Sequence, residues 1–517
     1  MDPEEVQEEA ASRTGMFYPL LVTVLTVGGA ALRLAYLFQP MRYDESFTML
    51  AFSSQPLSTG LSSYPFPNNH LFHTLLVHLT SALFGNSPAV LRLPAFLAGV
   101  ALIPVGYLVL KELYDRDTGA LAAALIAASP LLIAYSVNAR GYTIQALAFL
   151  LLVLVARRLK EGQKLSYWLA FGLLTVVGFY TIPTMLYFFG AVFVWLAISA
   201  IVRDVKGPRR GFLLRLVGWS ALSLGVSALL YVPVIVKSGL SSLTSNQFVK
   251  ALALGKFFSG LGGEARNLWL AWSAGLTQVF AILFAIAIII SLVFHYRMSK
   301  DRVPLSAVAL VWCLALVAVQ RVLPEPRVFL PLLPLFLGFA AAGFTFTGRM
   351  AAREARARTG KKLAFNKVAK AALVFVAFAV LALVVVVQAT PYQRDDTGKK
   401  GPSTFAAAEK IATRLAHTLK PGDAVYVDWR ARPQLEYYFT RLGIDHHYIY
   451  GNSFGTPQTG SSVTRAFIIG DPAEGHSLEI AANSPGKNLK IDPSQLVLKK
   501  FYAADGATIY LVTGPRQ

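Results

Sequence analysis

Long apolar segments separated by short polar stretches recur along the first three quarters of the chain. A helix needs about 20 apolar residues to cross about 30 Å of hydrocarbon, and eleven segments approach that length. They lie near residues 17–38, 89–110, 119–137, 141–156, 167–182, 184–202, 216–236, 274–294, 303–322, 328–347 and 369–389. The pattern predicts a polytopic α-helical membrane protein with about 11 transmembrane helices.

The composition supports the same class. Of the 517 residues, 55% are hydrophobic and only 15% are charged, and the mean hydropathy is +0.52, which is atypical of a soluble enzyme. The acidic segment 1–15 has no cleavage site, so we expect no signal peptide. The single cysteine, Cys313, excludes disulfides within the chain and thiolate metal clusters.

The net charge of +20 raises the question of nucleic acid, but the positions of the basic residues favour a topological explanation. With a cytoplasmic N-terminus and alternating spans, 23 of the 48 Lys and Arg residues fall on the cytoplasmic side and ten on the outer side. This bias follows the positive-inside rule. It predicts a multi-pass plasma-membrane protein with its N-terminus inside, its C-terminus outside and no nucleic-acid partner.

The segment 390–517 is predicted to be a separate extracytoplasmic domain, and residues 1–389 form the membrane module. Alternating patterns predict helices at 404–419 and 434–442 and strands near 423–429, 447–450, 465–469 and 508–512, which is typical of a small α/β fold. Its 15 basic and 12 acidic residues nearly cancel, so it has no basic stripe suited to nucleic acid.

Acidic residues are rare on the predicted outer face, where ionisable groups tend to be functional. Outside the tail there are four, Asp44, Glu45, Glu264 and Glu325. The first two are adjacent and follow the first span directly, in the outer loop 39–88. The simple alternative is a solvated loop with a chance acidic pair.

The same loop contains Asn69, His70, His73 and His78. His73 and His78 fit an interfacial helix with satisfied polar tips, whereas His70, at the predicted helix start, could reach the site near Asp44. By ligand type, Asp44, Glu45 and His70 could hold a divalent cation. No other metal or cofactor is indicated.

Arg140 and Tyr142 flank Gly141 in a very short second outer loop. An arginine beside a glycine at a span boundary suits an anion held by guanidinium and backbone together. Snorkelling of the arginine to the interface is the alternative.

Two further outer segments carry basic residues. The first, at 237–270, contains Lys256 and is typical of an amphipathic outer helix or re-entrant segment, suited to anionic lipid headgroups or to plain anchoring. The second contains Arg327, and there Arg321 could pair with Glu325. No P-loop and no GxGxxG unit is present, so a soluble nucleotide donor has no evident cradle.

Several runs occur in an order that is informative: Tyr43-Asp44-Glu45, Asn69-His70, the segments 83–94 and 129–142, and more weakly Pro326-Arg327 with Pro331 and Pro334. Together they resemble the bacterial and archaeal relatives of the dolichyl-phosphate-mannose protein mannosyltransferases. These are integral-membrane glycosyltransferases of the GT-C type, a group that includes the lipid A aminoarabinose transferases.

The resemblance implies a polyprenyl-phosphate-linked sugar as donor and an inverting transfer to an acceptor hydroxyl. Asp44 matches the catalytic aspartate and would be the general base, and Glu45 would orient the acceptor or the site. Arg140 and Arg327 would stabilise charge on the departing phosphate. The sequence departs from the family where some relatives have an acidic residue in the second outer loop, and where Val328 replaces Tyr.

Asn69, His70, Tyr142 and Lys256 complete the candidate substrate-binding set. The expected partners are the lipid-linked donor, membrane lipids and a lipid, glycan or protein acceptor, with the sugar and the acceptor left open. The alternatives are a transporter or lipid flippase with an outer accessory domain, and a receptor with a ligand-binding tail. Paired repeats and midplane ionisable groups, which are typical of transporters, are not evident.

Overall fold

The computed structural model describes residues 3–65, 67–244, 250–274, 276–359, 405–450, 465–478 and 496–515, with isolated positions between 372 and 383 and at 481. The chain forms two compact units. The helical unit comprises residues 1–36, 64–73 and 94–391, and the loop–tail unit comprises residues 37–63, 74–93 and 392–517. Most of the first outer loop therefore groups with the tail, whereas the sequence analysis placed it within residues 1–389.

Helices account for most of the described residues before position 360. They are α1 (Pro3–Leu34), α2 (Tyr43–Thr48), α3 (Leu57–Gly60), α4 (Leu71–Phe84), α5 (Pro88–Leu113), α6 (Arg116–Ala128), α7 (Pro130–Ser136), α8 (Tyr142–Glu161), α9 (Leu165–Thr181), α10 (Met185–Ile201), α11 (Arg209–Leu230), α12 (Val232–Ser238), α13 (Ser241–Thr244), α14 (Leu254–Trp272), α15 (Gln278–Val293), α16 (His295–Met298), α17 (Leu305–Gln320) and α18 (Leu333–Thr359). A π-helical turn, Met49–Ser53, follows α2, and a 3-10 helix, Pro326–Leu332, precedes α18.

Among the described residues, five spans are long and apolar enough to cross a membrane: Met16–Leu34, Pro88–Leu113, Tyr142–Glu161, Arg209–Leu230 and Pro326–Arg358. The pair α6 and α7 makes a sixth if it is counted as one bent span, and α4, α9, α10, α15 and α17 are shorter apolar helices. The ten predicted spans up to residue 347 fall on these helices. The predicted span at 369–389 lies largely outside the described residues.

The segment predicted as one span at 119–137 is broken in the structure. Pro130 begins α7, and the two helix axes differ by 60°. A helix end leaves carbonyl groups without intrahelical partners. The buried guanidinium of Arg33 donates to the carbonyls of Ile126 and Ala127, at 3.3 and 2.9 Å, and to Ser136 Oγ at 3.0 Å. Arg33 thereby stabilises the bend that leads into the second outer loop.

The start of α8, which follows that loop, is anchored by two buried polar side chains. Thr143 Oγ1 donates to the carbonyl of Ala95, and Gln145 Nε2 donates to the carbonyl of Ile182, both at 2.9 Å. Because unpaired polar groups are costly in an apolar interior, these bonds fix the position of the loop residues that precede α8.

The described tail residues form a mixed sheet with two helices, α19 (Ala408–Ala416) and α20 (Arg432–Leu442). The strands are β1 (Asp423–Tyr426), β2 (Ile449–Tyr450), β3 (Arg465–Gly470), β4 (Leu496–Ala504) and β5 (Ala507–Pro515), in the order β2-β1-β3-β5-β4. Strand β1 is parallel to both β2 and β3, and β5 is antiparallel to β3 and β4.

Strand β4 is absent from the sequence-based prediction, although a signal for it was present. Asp505 and Gly506 connect β4 to β5, and both have positive φ angles, 48° and 94°. An Asp-Gly pair between two apolar runs is the pattern that favours a tight hairpin turn. The Asp505-Gly506 pair therefore indicates a hairpin in which β4 precedes β5.

Candidate active site

The two adjacent carboxylates after the first span lie on α2 in different environments. Arg42 is the N-cap residue, and its backbone N–H donates to Glu45 Oε2 at 2.9 Å. Successive residues of a helix point about 100° apart, and this rotation separates the two side chains. Asp44 is partly exposed, whereas Glu45 is completely buried.

Glu45 is held by the buried guanidinium of Arg92, near the start of α5. Arg92 Nε donates to Oε1 and Nη2 donates to Oε2, both at 2.7 Å. The remaining N–H groups of Arg92 donate to the backbone carbonyls of Leu37, Gln39 and Pro40, at 2.8, 2.6 and 2.9 Å. All five donors of the guanidinium are therefore used, and the loop before α2 is bound to α5.

This geometry makes Glu45 a structural anchor of the loop. Burial alone raises the pKa of Glu45, but the charge and hydrogen bonds of Arg92, together with Arg42, outweigh it and hold the pKa below its ordinary value. A carboxylate with both oxygens bound to one guanidinium is poorly placed for proton transfer. The predicted role in orienting the site is compatible with this position, because Glu45 fixes the helix that carries Asp44.

Residues of the tail contact the same loop within the loop–tail unit. The hydroxyl of Tyr438, on α20, accepts a hydrogen bond from the backbone N–H of Met41 at 3.3 Å. The hydroxyl of Tyr437 donates to the carbonyl of Asn86 at 2.7 Å. Helix α20 therefore fastens both the segment before α2 and the turn before α5, and neither tyrosine was identified from the sequence.

A second polar cluster, in the helical unit, contains His70, Asn68, Arg140 and Tyr142. The backbone N–H of Gly141 donates to His70 Nδ1 at 2.9 Å. Burial and the neighbouring charge of Arg140 hold the pKa of His70 well below its ordinary value, so the imidazole is neutral. With Nδ1 as acceptor, the ring proton is on Nε2.

His70 Nε2 lies 3.3 Å from Arg140 Nη2. Both groups carry protons, so neither accepts from the other and the pair presents two adjacent donors. Arg140 also donates through Nη1 to Asn68 Oδ1 and lies over the ring of Tyr142, 5.7 Å from its centroid. The edge-on contact between His70 and Tyr142, with centroids 4.9 Å apart, holds the imidazole in place.

Of the other predicted substrate-binding residues, Asn69 is buried directly before His70. Arg327 pairs with Glu325 at 2.5 Å, and its charge contributes to the lowered pKa of His70. The expectation that Arg321 could pair with Glu325 is thus replaced by a pair with Arg327. Arg321 ends α17 in the left-handed conformation, and its carbonyl accepts from the N–H of Leu252.

Lys256 is exposed on α14, the predicted amphipathic segment, which is helical from Leu254 to Trp272. His78 Nδ1 lies 3.0 Å from the carbonyl of Ser53, as expected for a satisfied polar tip. In the described part of the chain, no three His, Cys, Asp or Glu side chains converge as metal ligands. The alternative of a cation on Asp44, Glu45 and His70 gains no support, since Arg92 occupies both oxygens of Glu45.

Replacing Glu45 with Gln is expected to destabilise the protein, because a buried guanidinium would lose its counter-charge. Breaking such a pair costs about 3–5 kcal/mol, so thermal unfolding in detergent should show a clearly lower Tm. Since the folded-state pKa is lowered, this stabilisation is complete above the ordinary pKa of 4.5 and is lost as the pH falls through the folded-state pKa. The Tm of the parent should therefore fall on acidification more than that of E45Q.

The matched control is Glu264→Gln, which alters a partly exposed carboxylate on α14 and should leave the Tm within about 1 °C of the parent. Equal Tm values for E45Q and the parent would contradict the anchoring role of Glu45.

Replacing Gly141 with Ala tests the packing of the His70 cluster. An added Cβ would lie 2.6 Å from Thr181 Cγ2 and 3.2 Å from His70 Nδ1, so the neighbours must move. Overpacking typically costs about 1–3 kcal/mol, and a lower Tm is expected. Gly162→Ala is the control, because a Cβ there meets nothing within 4 Å; equal destabilisation by both would contradict the close packing at Gly141.

Comparison with known proteins identifies similar sequences and folds. Residues 68–224 match the profile of the family described as dolichyl-phosphate-mannose-protein mannosyltransferase. No curated protein sequence matches the chain significantly. The archaeal oligosaccharyltransferase AglB from Archaeoglobus fulgidus, solved with an inhibitory peptide and a dolichol-phosphate, is 15% identical with a TM-score of 0.52.

That match covers 82% of this chain and 64% of AglB, so the chain spans less than two thirds of AglB. The apo structure of ArnT from Cupriavidus metallidurans is 14% identical with a TM-score of 0.57, and the match covers 97% of this chain and 98% of ArnT. These likenesses establish the fold. The prediction of a polytopic helical membrane protein is confirmed, although the number of spans is not fixed by them.

Proposed function

Because the chain resembles the protein mannosyltransferases and has the GT-C fold of membrane glycosyltransferases, we propose that it transfers a sugar from a polyprenyl-phosphate-linked donor to an acceptor hydroxyl. The observation that carries this proposal is the buried Arg92–Glu45 pair, which fixes α2 while Asp44 stays partly exposed. The proposal places the reaction on the outer face of the plasma membrane, with the N-terminus inside.

Asp44 acts as the general base in this proposal. The acceptor oxygen attacks the anomeric carbon, its proton passes to the Asp44 carboxylate, and the bond from that carbon to the phosphate oxygen breaks. The electron pair leaves with the lipid phosphate. One such displacement inverts the anomeric carbon and needs no nucleophile from the enzyme. A base of this kind typically contributes about 10²–10⁴ to the rate.

The cluster of His70 and Arg140 binds the donor phosphate. Its two adjacent donors, Nε2–H and Nη2–H, can share one phosphate oxygen or bind two. The neutral imidazole of His70 donates a hydrogen bond through Nε2–H but carries no charge. Arg140 supplies the positive charge that stabilises the departing phosphate. Arg327 adds charge nearby. Tyr142 packs against both His70 and Arg140, Asn69 is buried directly before His70, and Lys256 anchors α14 beside lipid headgroups.

The lipid part of the donor is proposed from two findings. The matched family takes its name from a dolichyl-phosphate sugar, and the AglB structure contains a dolichol-phosphate. A donor held in the bilayer agrees with the absence of a P-loop from the sequence. A divalent cation is not required by this assignment, since side-chain donors can neutralise the phosphate.

Asp44→Asn is expected to reduce sugar transfer by about 100-fold or more, because the amide cannot accept the acceptor proton. The measurement is release of radiolabelled sugar from a polyprenyl-phosphate donor by the full-length protein in liposomes. Glu264→Gln is the control and should retain parental turnover. An Asp44→Asn protein with the turnover of the parent would remove Asp44 from the mechanism.

If neither the parent nor the variant consumes any such donor, while a solute flux or lipid movement is observed in the same liposomes, the transporter or flippase alternative is correct instead.

Arg140→Lys is expected to weaken the phosphate site, because an ammonium cannot keep the bond to Asn68 and also direct a second donor beside His70. Transfer should fall by about 10²–10³, with a higher KM for the donor. Arg321→Lys, which alters another outer arginine, is the control. Parental values of both constants for R140K would contradict phosphate binding by this cluster.

A further inference from the structure

Trp429 is an unusual side chain in the loop–tail unit. It lies between β1 and α20, and 49% of it is exposed, while its neighbours Asp428 and Ala431 are fully buried. Trp and Tyr provide large contact areas at low conformational cost and are enriched in the surfaces with which proteins bind their partners. The exposed indole of Trp429, on a fixed loop, is therefore a candidate contact for a ligand.

The loop that carries Trp429 is fixed on both sides. The carboxylate of Asp428 accepts from the backbone N–H and from Nε of Arg430, at 3.0 and 3.1 Å. The backbone carbonyl of Asp428 accepts from the N–H of Arg432, at 3.0 Å, where α20 begins. Arg430 Nη2 donates to the carbonyl of Gly475 at 2.7 Å. The indole is presented by a preorganised backbone.

The position of the loop in the sheet is also typical of a binding site. It follows the carboxyl end of β1, which has the parallel strands β2 and β3 on its two sides. The chain runs from β1 to β2 on one side and then crosses to β3 on the other. In open sheets of this kind, ligands bind at the carboxyl ends of strands where the order reverses.

Tyr43 completes this surface from the first outer loop. Its ring is perpendicular to the ring of Trp429, with the two centroids 6.3 Å apart. Tyr43 directly precedes Asp44 on α2. Trp429 and Tyr43 thus form an aromatic corner against the helix that carries the proposed general base, and both residues belong to the loop–tail unit.

We propose that this aromatic corner binds a carbohydrate acceptor. One face of a pyranose ring consists of C–H groups and packs on an indole, while its edge carries the hydroxyl that Asp44 deprotonates. Aromatic lining with a few polar groups is the usual composition of a small-molecule site. The inference rests on the proposed function and adds the chemical class of the acceptor and the residues that select it.

The kinetic test uses the full-length protein in liposomes with a polyprenyl-phosphate-sugar donor and methyl hexopyranosides as acceptors. Trp429→Ala should raise the acceptor KM about tenfold, whereas the donor KM and the rate at saturating acceptor stay at parental values. Trp429→Phe should restore most of the affinity. Leu442→Ala, at another exposed apolar position of the tail, is the control and should behave as the parent.

A binding measurement keeps the proposal testable if turnover is slow. The protein is labelled with 5-fluorotryptophan, and the resonance of Trp429 is assigned by its absence from W429F. Titration with methyl hexopyranosides should shift this resonance, and titration with a Ser/Thr-containing peptide should not. A resonance that responds only to the peptide, or to neither ligand, overturns the carbohydrate assignment.

The two levels of the proposal fail differently. If the parent transfers sugar but W429A has the parental acceptor KM, only the aromatic corner is wrong. If the parent never consumes the donor, the proposed function fails, and a glycoside-dependent shift of the Trp429 resonance would then belong to a carbohydrate-binding tail without transferase activity.

Discussion

The ion pair between Arg92 and Glu45 is the constraint on which the first outer loop depends. Removing both charges from water costs several kcal/mol for each ion, and this cost is offset only because every N–H of the guanidinium has an acceptor. Three of those acceptors are backbone carbonyls. The pair therefore orders the chain from Leu37 to Glu45 through the backbone, independently of the side chains between them. Asp44 takes its position from this arrangement, although it has no part in the pair.

The tail contributes to the same arrangement. Tyr437 and Tyr438 bind the backbone near the two ends of the first loop, so α20 holds the segments before α2 and before α5. In the helical unit, Arg33 performs an analogous task with backbone carbonyls at the bend between α6 and α7. In each unit a buried arginine therefore donates to the carbonyls of irregular backbone, before Asp44 in one unit and before Arg140 in the other. Such backbone is stable in an apolar environment only when its carbonyls have donors.

Much of the architecture was accessible from the sequence. Apolar length alone located the described membrane helices, and alternation in the tail located α20 and β3. The different environments of Asp44 and Glu45 could not be predicted from the sequence. Adjacent residues on a helix point in different directions, and Arg92, the partner of Glu45, lies 47 residues further along the chain. The bend at Pro130 was not predicted, because the segment 119–137 is apolar throughout. The contact between Tyr43 and Trp429 was not predicted either, because the two residues are nearly 400 positions apart in the chain.

That separation has a consequence for how the protein is made. The loop–tail unit combines residues 37–63 and 74–93 with residues 392–517, and ribosomes add about 5–20 residues per second. The early segments of this unit therefore wait about 20–70 s for α20 to be synthesised. During that interval the loop lacks the tyrosines that fasten it. The first loop of a nascent chain thus becomes ordered only near the end of translation.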